Sequence, residues 1–193
     1  MLRSILIVSI FCSFQSLARA ESAEAFFAGG CFWCMESFYQ EVEGVSEVVS
    51  GFTGGESKNP TYKGNHKGHY EAVKVTYDPK VVSYAQLLDS YWHNIDPFDS
   101  RGQFCDKGPS YLSAIFVGNE TERALAEKTR AAVVARFPKQ SVQTPILDSG
   151  DFWPVEEGHQ DYYIKNPVRY KYYRWNCGRD QRLEAIWGRQ AGN

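Results

Sequence analysis

Residues 24–42, EAFFAGGCFWCMESFYQEV, set a short apolar run against a pair of glycines and follow it at once with residues of helical content. Such a run ended by glycine reads as a strand, and the glycines permit a tight turn into a helix. Strand, turn and helix N-terminus therefore meet at Cys31. A second thiol, Cys34, sits about one helical turn further on.

The rest of the chain continues in the same alternating style. VSEVVSGF (residues 45–52) and HYEAVKVTY (residues 69–77) are predicted strands by their β-branched content and alternation, as is YLSAIFV (residues 111–117). Between the first two lies TGGESKNPTYKGNHKG, a Gly-, Asn- and Pro-rich surface loop of the kind that carries function. SYAQLLDSYWHNI opens with the capping pair Ser83 and Gln86 and carries an apolar stripe of Leu87, Leu88, Tyr91 and Trp92. A second predicted helix has Asn119 at its N-cap, acids in its first turn, Arg130 and Arg136 near its end, and Pro138 as the stop. Past Gly150 the chain turns aromatic and reads as irregular. With no repeat and no linker long enough to divide it, the pattern predicts one α+β domain.

The first twenty residues stand apart: Arg3, an apolar run from Ile5 to Phe14, and ARA ending at Ala20. This is the layout of a cleavable secretory signal, and the run is shorter than the roughly 20 residues of a spanning helix. Residues 1–20 are thus read as a signal peptide and residues 21–193 as the mature domain, exported to a periplasm or secreted. Phe11 before Cys12 argues against a lipid anchor, since a bacterial lipoprotein signal has a small residue there. Removing Arg3 and Arg19 leaves 19 basic against 23 acidic residues, a net charge of −4. No basic patch points to nucleic acid or to a membrane surface, and the absence of heptads leaves a monomer as the expectation.

Four cysteines remain in the mature chain, Cys31, Cys34, Cys105 and Cys177, and an even number in an oxidising compartment first means structural disulfides. Geometry favours chemistry for two of them. A cysteine in the first turn of a helix faces free N–H groups and the positive end of the dipole, which predicts a lowered pKa and makes Cys31 the candidate nucleophile. Cys34 is close enough to close back onto it as a disulfide. A zinc half-site is the alternative for CxxC, but the chain has no second CxxC to complete it, so no metal is expected. In HYEAVKVTY, Glu71 shares a strand face with Val73, Val75 and Tyr77. A carboxyl group on that face would hold its proton near neutrality and serve as a general acid; at the strand end it can equally turn out to solvent.

GCFW followed by a helix, GFTGG, NPTY, GHYEAVKVTYDP, SYAQLLDSYWHNIDP, DKGPSYLSAIF, GHQDYYIKNP and the C-terminal RDQRLEAIWG together resemble the A-type peptide methionine sulfoxide reductases, in the family's order and over nearly the whole mature chain. The resemblance implies a two-layer α/β sandwich, a ferredoxin-like mixed sheet with helices packed on it. It also implies reduction of the S epimer of methionine sulfoxide, free or in proteins, with no bound cofactor and an external thioredoxin-like dithiol. By this resemblance Cys31 is the nucleophile and Glu71 the acid, Tyr62 and Tyr111 bind the oxygen, and Asp106 is a supporting carboxylate. Phe32 and Trp33 form the substrate-methyl pocket.

Those residue types suit the reaction. A sulfoxide oxygen leaves only if it is hydrogen-bonded and protonated as the thiolate attacks sulfur, and the sulfenic acid that results condenses with a second thiol. The departures from the family fall at that second step: Cys34 stands where glycine is common, Cys105 where asparagine is common, and the cysteine that often follows KNP is delayed to Cys177. Cys34, Cys105 and Cys177 are all candidates for resolving or recycling, with Cys177, on a flexible tail, favoured. A structural Cys105–Cys177 bridge beside a Cys31–Cys34 redox pair is the competing arrangement. Leu112 and Tyr70, where arginine and alanine are common, alter substrate fit. His159 reads as a hydrogen-bonded structural histidine, with Asp161 and its neighbouring tyrosines packing against the site. A thioredoxin-like disulfide oxidoreductase would need a strand and helix before its CxxC, which this chain lacks room for; a disulfide-stapled binding module would have all four thiols oxidised.

Overall fold

A computed structural model describes residues 22–188. The predicted signal peptide, residues 1–20, lies outside them.

The strand before the glycines is β1, Ala23–Gly29, and it runs through the middle of a six-stranded sheet. Across the sheet the order is β7 (Ile146–Asp148), β6 (Ser113–Val117), β1, β3 (Tyr70–Tyr77), β2 (Val45–Thr53) and β8 (Trp153–Pro154). All pairings are antiparallel except β6 with β7, so the sheet is mixed. A separate two-stranded ribbon joins β4, Gly102–Gln103, to β5, Asp106–Lys107. Helices α1 (Phe32–Tyr39), α2 (Tyr84–His93) and α3 (Glu120–Arg136) complete the core.

Alternation on the strands decides which residues meet those helices. Phe27, Val73, Val75 and Ile115 are buried with Met35 and Tyr39 of α1 and with Leu87, Leu88 and Tyr91 of α2. A smaller cluster, Ala28, Ala72, Ala114 and Phe116, is closed by Phe152. The capping expectations hold. Gln86 N–H donates to Ser83 Oγ at 3.3 Å while Ser83 N–H donates to Gln86 Oε1 at 2.9 Å, and Asn119 Oδ1 accepts from Glu122 N at 3.0 Å.

Gly30 makes the turn between β1 and α1 with φ of 82°, a left-handed conformation open to glycine at little cost. A Cβ there would also lie 2.5 Å from Gln103 Cβ. The turn therefore depends on both the backbone freedom of glycine and its lack of a side chain.

The C-terminal region departs from the irregular chain its composition predicts. It holds α4 (Tyr162–Lys165), α5 (Pro167–Asn176) and α6 (Arg179–Trp187). Aromatic residues are modest helix formers, so local propensity hides these helices; docking stabilises them. On α6 the buried residues are Arg179, Leu183 and Trp187, spaced by one turn. Arg179 donates to the carbonyl of Asn94 at 2.6 Å, and Trp187 Nε1 to that of Ile95 at 3.0 Å. Since Leu183 is within the main core, Leu183→Ala is expected to cost about 3 kcal/mol in urea unfolding, whereas a loose tail would give no change.

Candidate active site

Cys31 is the N-cap of α1, and the backbone N–H groups of Cys34 and Met35 bond back to its carbonyl at 3.1 and 3.4 Å. The free N–H at the helix start does not serve the thiol. Phe32 N–H instead donates to Glu71 Oε2 at 3.2 Å, across from β3. Glu71 is 4 % exposed, which settles its orientation: it lies inside with Val73 and Val75. Burial pushes its pKa up to about 8, against the Phe32 hydrogen bond that favours the anion. It is therefore largely protonated at neutrality.

The thiols correct one expectation. Cys31 is buried, and burial holds its pKa well above the usual thiol value instead of below it, reinforced by the hydrogen bond with Cys34. Burial outweighs the helix dipole here. Cys34 moves the other way, down to about 6, through the hydrogen bond from Cys31 and then the charges of Arg179 and Arg174. Their interaction thus favours loss of one proton from the pair and opposes loss of the second.

A cavity of about 270 Å³ opens over Cys31. Seven residues singled out from the sequence line it: Cys31, Phe32, Trp33, Tyr62, Glu71, Asp106 and Tyr111. Its aromatic side is built by stacking: Trp33 lies 3.8 Å from Tyr162 at an interplanar angle of 8°, and Phe32 packs edge-on to Phe52. Tyr62 arrives on the long loop between β2 and β3, fixed by its N–H donating to Glu156 at 3.2 Å. Burial raises the pKa of Tyr62 to about 12 and that of Tyr111 further, so both are phenols that donate hydrogen bonds. His159 stacks on Trp33 and lies 3.9 Å from Tyr62, but its Nδ1 is buried without a hydrogen-bond partner, so it is not the hydrogen-bonded histidine the sequence predicts. Asp161 accepts from Gln40 at 2.8 Å and ties α4 to α1.

Tyr162, a tyrosine beside Asp161, lines the cavity as the sequence predicts, while two further lining residues, Arg169 and Tyr173, carried no sequence signal for this role. Arg169 and Tyr173 lie one turn apart on α5, and only recognition of that helix would have placed them on one face. Tyr173 donates its hydroxyl proton to Asp106.

Cys105 and Cys177 form a disulfide with Cα atoms 4.9 Å apart, while Cys31 and Cys34 are free. Cys177 caps the C-terminus of α5 and does not sit on a flexible tail. Among the described residues, the one group of metal-ligating type is Cys105, Asp106 and Cys177, whose two sulfurs are bonded to each other. No described helix is long and apolar enough to cross a membrane.

Cys31 is the one thiol on the cavity wall, and its neighbour Cys34 can pair with it, so the site is that of a thiol-dependent oxidoreductase. The family model for peptide methionine sulfoxide reductase matches residues 23–191. Peptide methionine sulfoxide reductase MsrA 2 of Caulobacter vibrioides is 49 % identical over 176 residues, 90 % of this chain and 89 % of that one. MsrA of Bacillus licheniformis is 48 % identical, over 89 % and 97 %. Among solved structures, reduced Mxr1 of Saccharomyces cerevisiae matches with TM-score 0.70 and 28 % identity, covering 77 % of this chain and 87 % of that one. Methionine sulfoxide reductase A of Corynebacterium diphtheriae matches with TM-score 0.69 and 29 % identity, covering 78 % of each. Mxr1 in complex with Trx2 shares the fold at TM-score 0.54 and 18 % identity, over 78 % and 91 %. The chain belongs to the peptide methionine sulfoxide reductase family and is an enzyme of that class.

Proposed function

We propose that this enzyme reduces the S epimer of methionine sulfoxide, in peptides or free, through a sulfenic acid on Cys31. The observation that carries the reading is a thiol and a buried carboxylic acid, protonated near neutrality, on one aromatic-walled cavity. Phe32 and Trp33 enclose the substrate methyl, and Tyr62 and Tyr111 donate to the sulfoxide oxygen. The Cys31 sulfur attacks as its proton passes to the Cys34 thiolate, the neighbouring acceptor. As the new S–S bond forms, Glu71 protonates the oxygen; transfer of that hydroxyl to Cys31 releases the thioether and leaves Cys–SOH. Sulfoxide sulfur is reduced by two electrons, and Cys31 is oxidised by two.

Cys34 then condenses with the sulfenic acid, expelling water and forming a Cys31–Cys34 disulfide. This reading moves the resolving role from Cys177 to Cys34, because Cys34 is a free thiol packed in one buried cluster with Cys31 while Cys177 is already bonded to Cys105. A thioredoxin-like dithiol resets the disulfide. Given one equivalent of sulfoxide and no reductant, Cys34→Ser is expected to accumulate a dimedone-reactive sulfenic acid; the Cys105→Ser/Cys177→Ser double variant is not.

Dithiothreitol-driven turnover of resolved epimers tests the reaction, with activity confined to the S form. Turnover of the R form at a similar rate would overturn the assignment. Tyr62→Phe and Tyr111→Phe are each expected to lower kcat about tenfold, and the pair together about 10² to 10³-fold, on the scale of lost donors to a developing oxyanion. The layout of residues 1–20 supports export and a mature enzyme starting at Glu21. An intact mass from the exported fraction that retains those residues would refute cleavage.

A further inference from the structure

On α5 the one buried residue is Tyr170, while Val168, Tyr172 and Trp175 are largely exposed. A helix this short, with so little core beneath it, is held in place weakly by its own packing. Yet Arg169 and Tyr173 of this helix line the cavity over Cys31.

The C-terminus of α5 is fastened covalently instead. Cys177 is bonded to Cys105, 72 residues away in the chain, and Cys105 N–H donates to Cys177 Sγ at 3.3 Å. Cys105 belongs to the turn of the ribbon, because Gln103 pairs with Asp106 and leaves Phe104 and Cys105 between them. Phe104 takes φ of 52°, a conformation that a bulky residue rarely adopts, and Arg179 lies 4.4 Å over its ring. The next residue after the turn, Asp106, lines the cavity and accepts from the Tyr173 hydroxyl. Tyr173 itself lies one helical turn before Cys177. The bridge thus ties α5 to the ribbon beside the contact between these two lining residues. The reacting groups are carried elsewhere, Cys31 at the head of α1 and Glu71 on β3.

We propose that Cys105 and Cys177 are positioning residues for substrate binding. Their bridge holds Arg169, Tyr173 and Asp106 together as one side of the cavity; once opened, it leaves the reacting groups intact and weakens the hold on the sulfoxide. Cys105 is exposed, so a dithiol reaches the bridge by exchange. One sulfur of the dithiol bonds to a bridge sulfur and releases the other as a thiol; its second thiol then attacks this mixed disulfide and frees the remaining cysteine. Cys105 and Cys177 together gain two electrons and two protons, and the dithiol becomes a disulfide. A substrate that needs the assembled side of the cavity then binds more weakly, in proportion to the fraction of molecules in which it is assembled.

The proposal rests on this cavity taking methionine sulfoxide as described above, and one arm of its test needs no substrate. Cys31→Ser blocks turnover and leaves Cys105–Cys177 as the one disulfide among the described residues, so dithiothreitol alters the bridge alone. Intact mass reports the opening as a gain of two hydrogens. In this background, reduction is expected to raise the Kd of an S-sulfoxide peptide about tenfold by calorimetry. Adding Cys105→Ser/Cys177→Ser should give the weaker Kd with or without dithiothreitol. Amide hydrogen exchange should quicken on reduction in α5 and the ribbon and stay the same in β1 and β3. With Cys31 restored, single turnover without reductant gives the kinetic split. Cys105→Ser/Cys177→Ser should need about ten times the sulfoxide for half-maximal rate, with a maximal rate within about threefold of wild type. A bridge that only stabilises the fold would lower Tm and leave Kd as it was, so an unchanged Kd, or unchanged exchange in α5, would overturn the proposal. Faster exchange in α5 of a protein that binds no sulfoxide in either state would instead leave the clamp in place and refute the reaction.

Discussion

Cys31→Ser is expected to lower the rate of methionine formation by at least about 10⁴-fold, since a serine hydroxyl is neither ionised near neutrality nor able to be oxidised to a sulfenic acid. Cys31 is the thiol on the cavity wall, and Cys34, although the more readily ionised of the two, is not among the lining residues. Cys34 should therefore not substitute for it. The single-turnover experiment is the sharper form of the test. Without reductant, wild type should release methionine and lose the Cys31 and Cys34 thiols, whereas Cys31→Ser should release none and keep Cys34 titratable. Methionine formation by the variant at even a hundredth of the wild-type rate would move the nucleophile elsewhere.

Glu71→Gln carries the second large effect. Removing the acid should lower kcat by about 10² to 10⁴-fold, the usual weight of a positioned proton donor. Wild-type kcat, which needs Glu71 protonated, should fall as pH rises through about 8, and the variant should lack that limb. Stability should respond in the opposite sense. The folded pKa of Glu71 is raised above its unfolded value, so the folded state binds more protons between about pH 4.5 and 8 and wild type loses stability across that window. Glutamine mimics the neutral acid and escapes the loss. The variant should match wild type at pH 5 and exceed it at pH 9 by about 3 kcal/mol, discounted from the full shift. Glu36, raised by burial to about 7, adds a dependence of the same sign to both proteins, so the difference between them isolates Glu71. Equal stability at both pH values would mean that the carboxyl is not buried in solution.

Much of this site was legible because its parts obey local rules. The period of two on β3 put Glu71 beside Val73 and Val75, and burial confirms that face. Capping residues marked the starts of α2 and α3. The glycine pair announced the turn that delivers Cys31 to the head of α1.

Other features depend on contacts between residues far apart in the chain. The helices after Gly150 exist because Arg179, Leu183 and Trp187 find carbonyls and core to dock against, which no window of aromatic residues reveals. Tyr173 and Arg169 reach the cavity only once α5 is laid beside α1. The raised pKa of Cys31 likewise turned on burial, which is not a property of CFWC itself.

The sequence alone determined the residue types and the short-range geometry: a thiol pair one turn apart, an acid on an apolar face, and aromatic residues adjoining the thiol. Only the tertiary structure decided which thiols are bonded, and that Arg169 and Tyr173 complete the cavity. Each of those depends on burial and on partners separated by many residues, and these are set when the sheet, α5 and α6 close around the site.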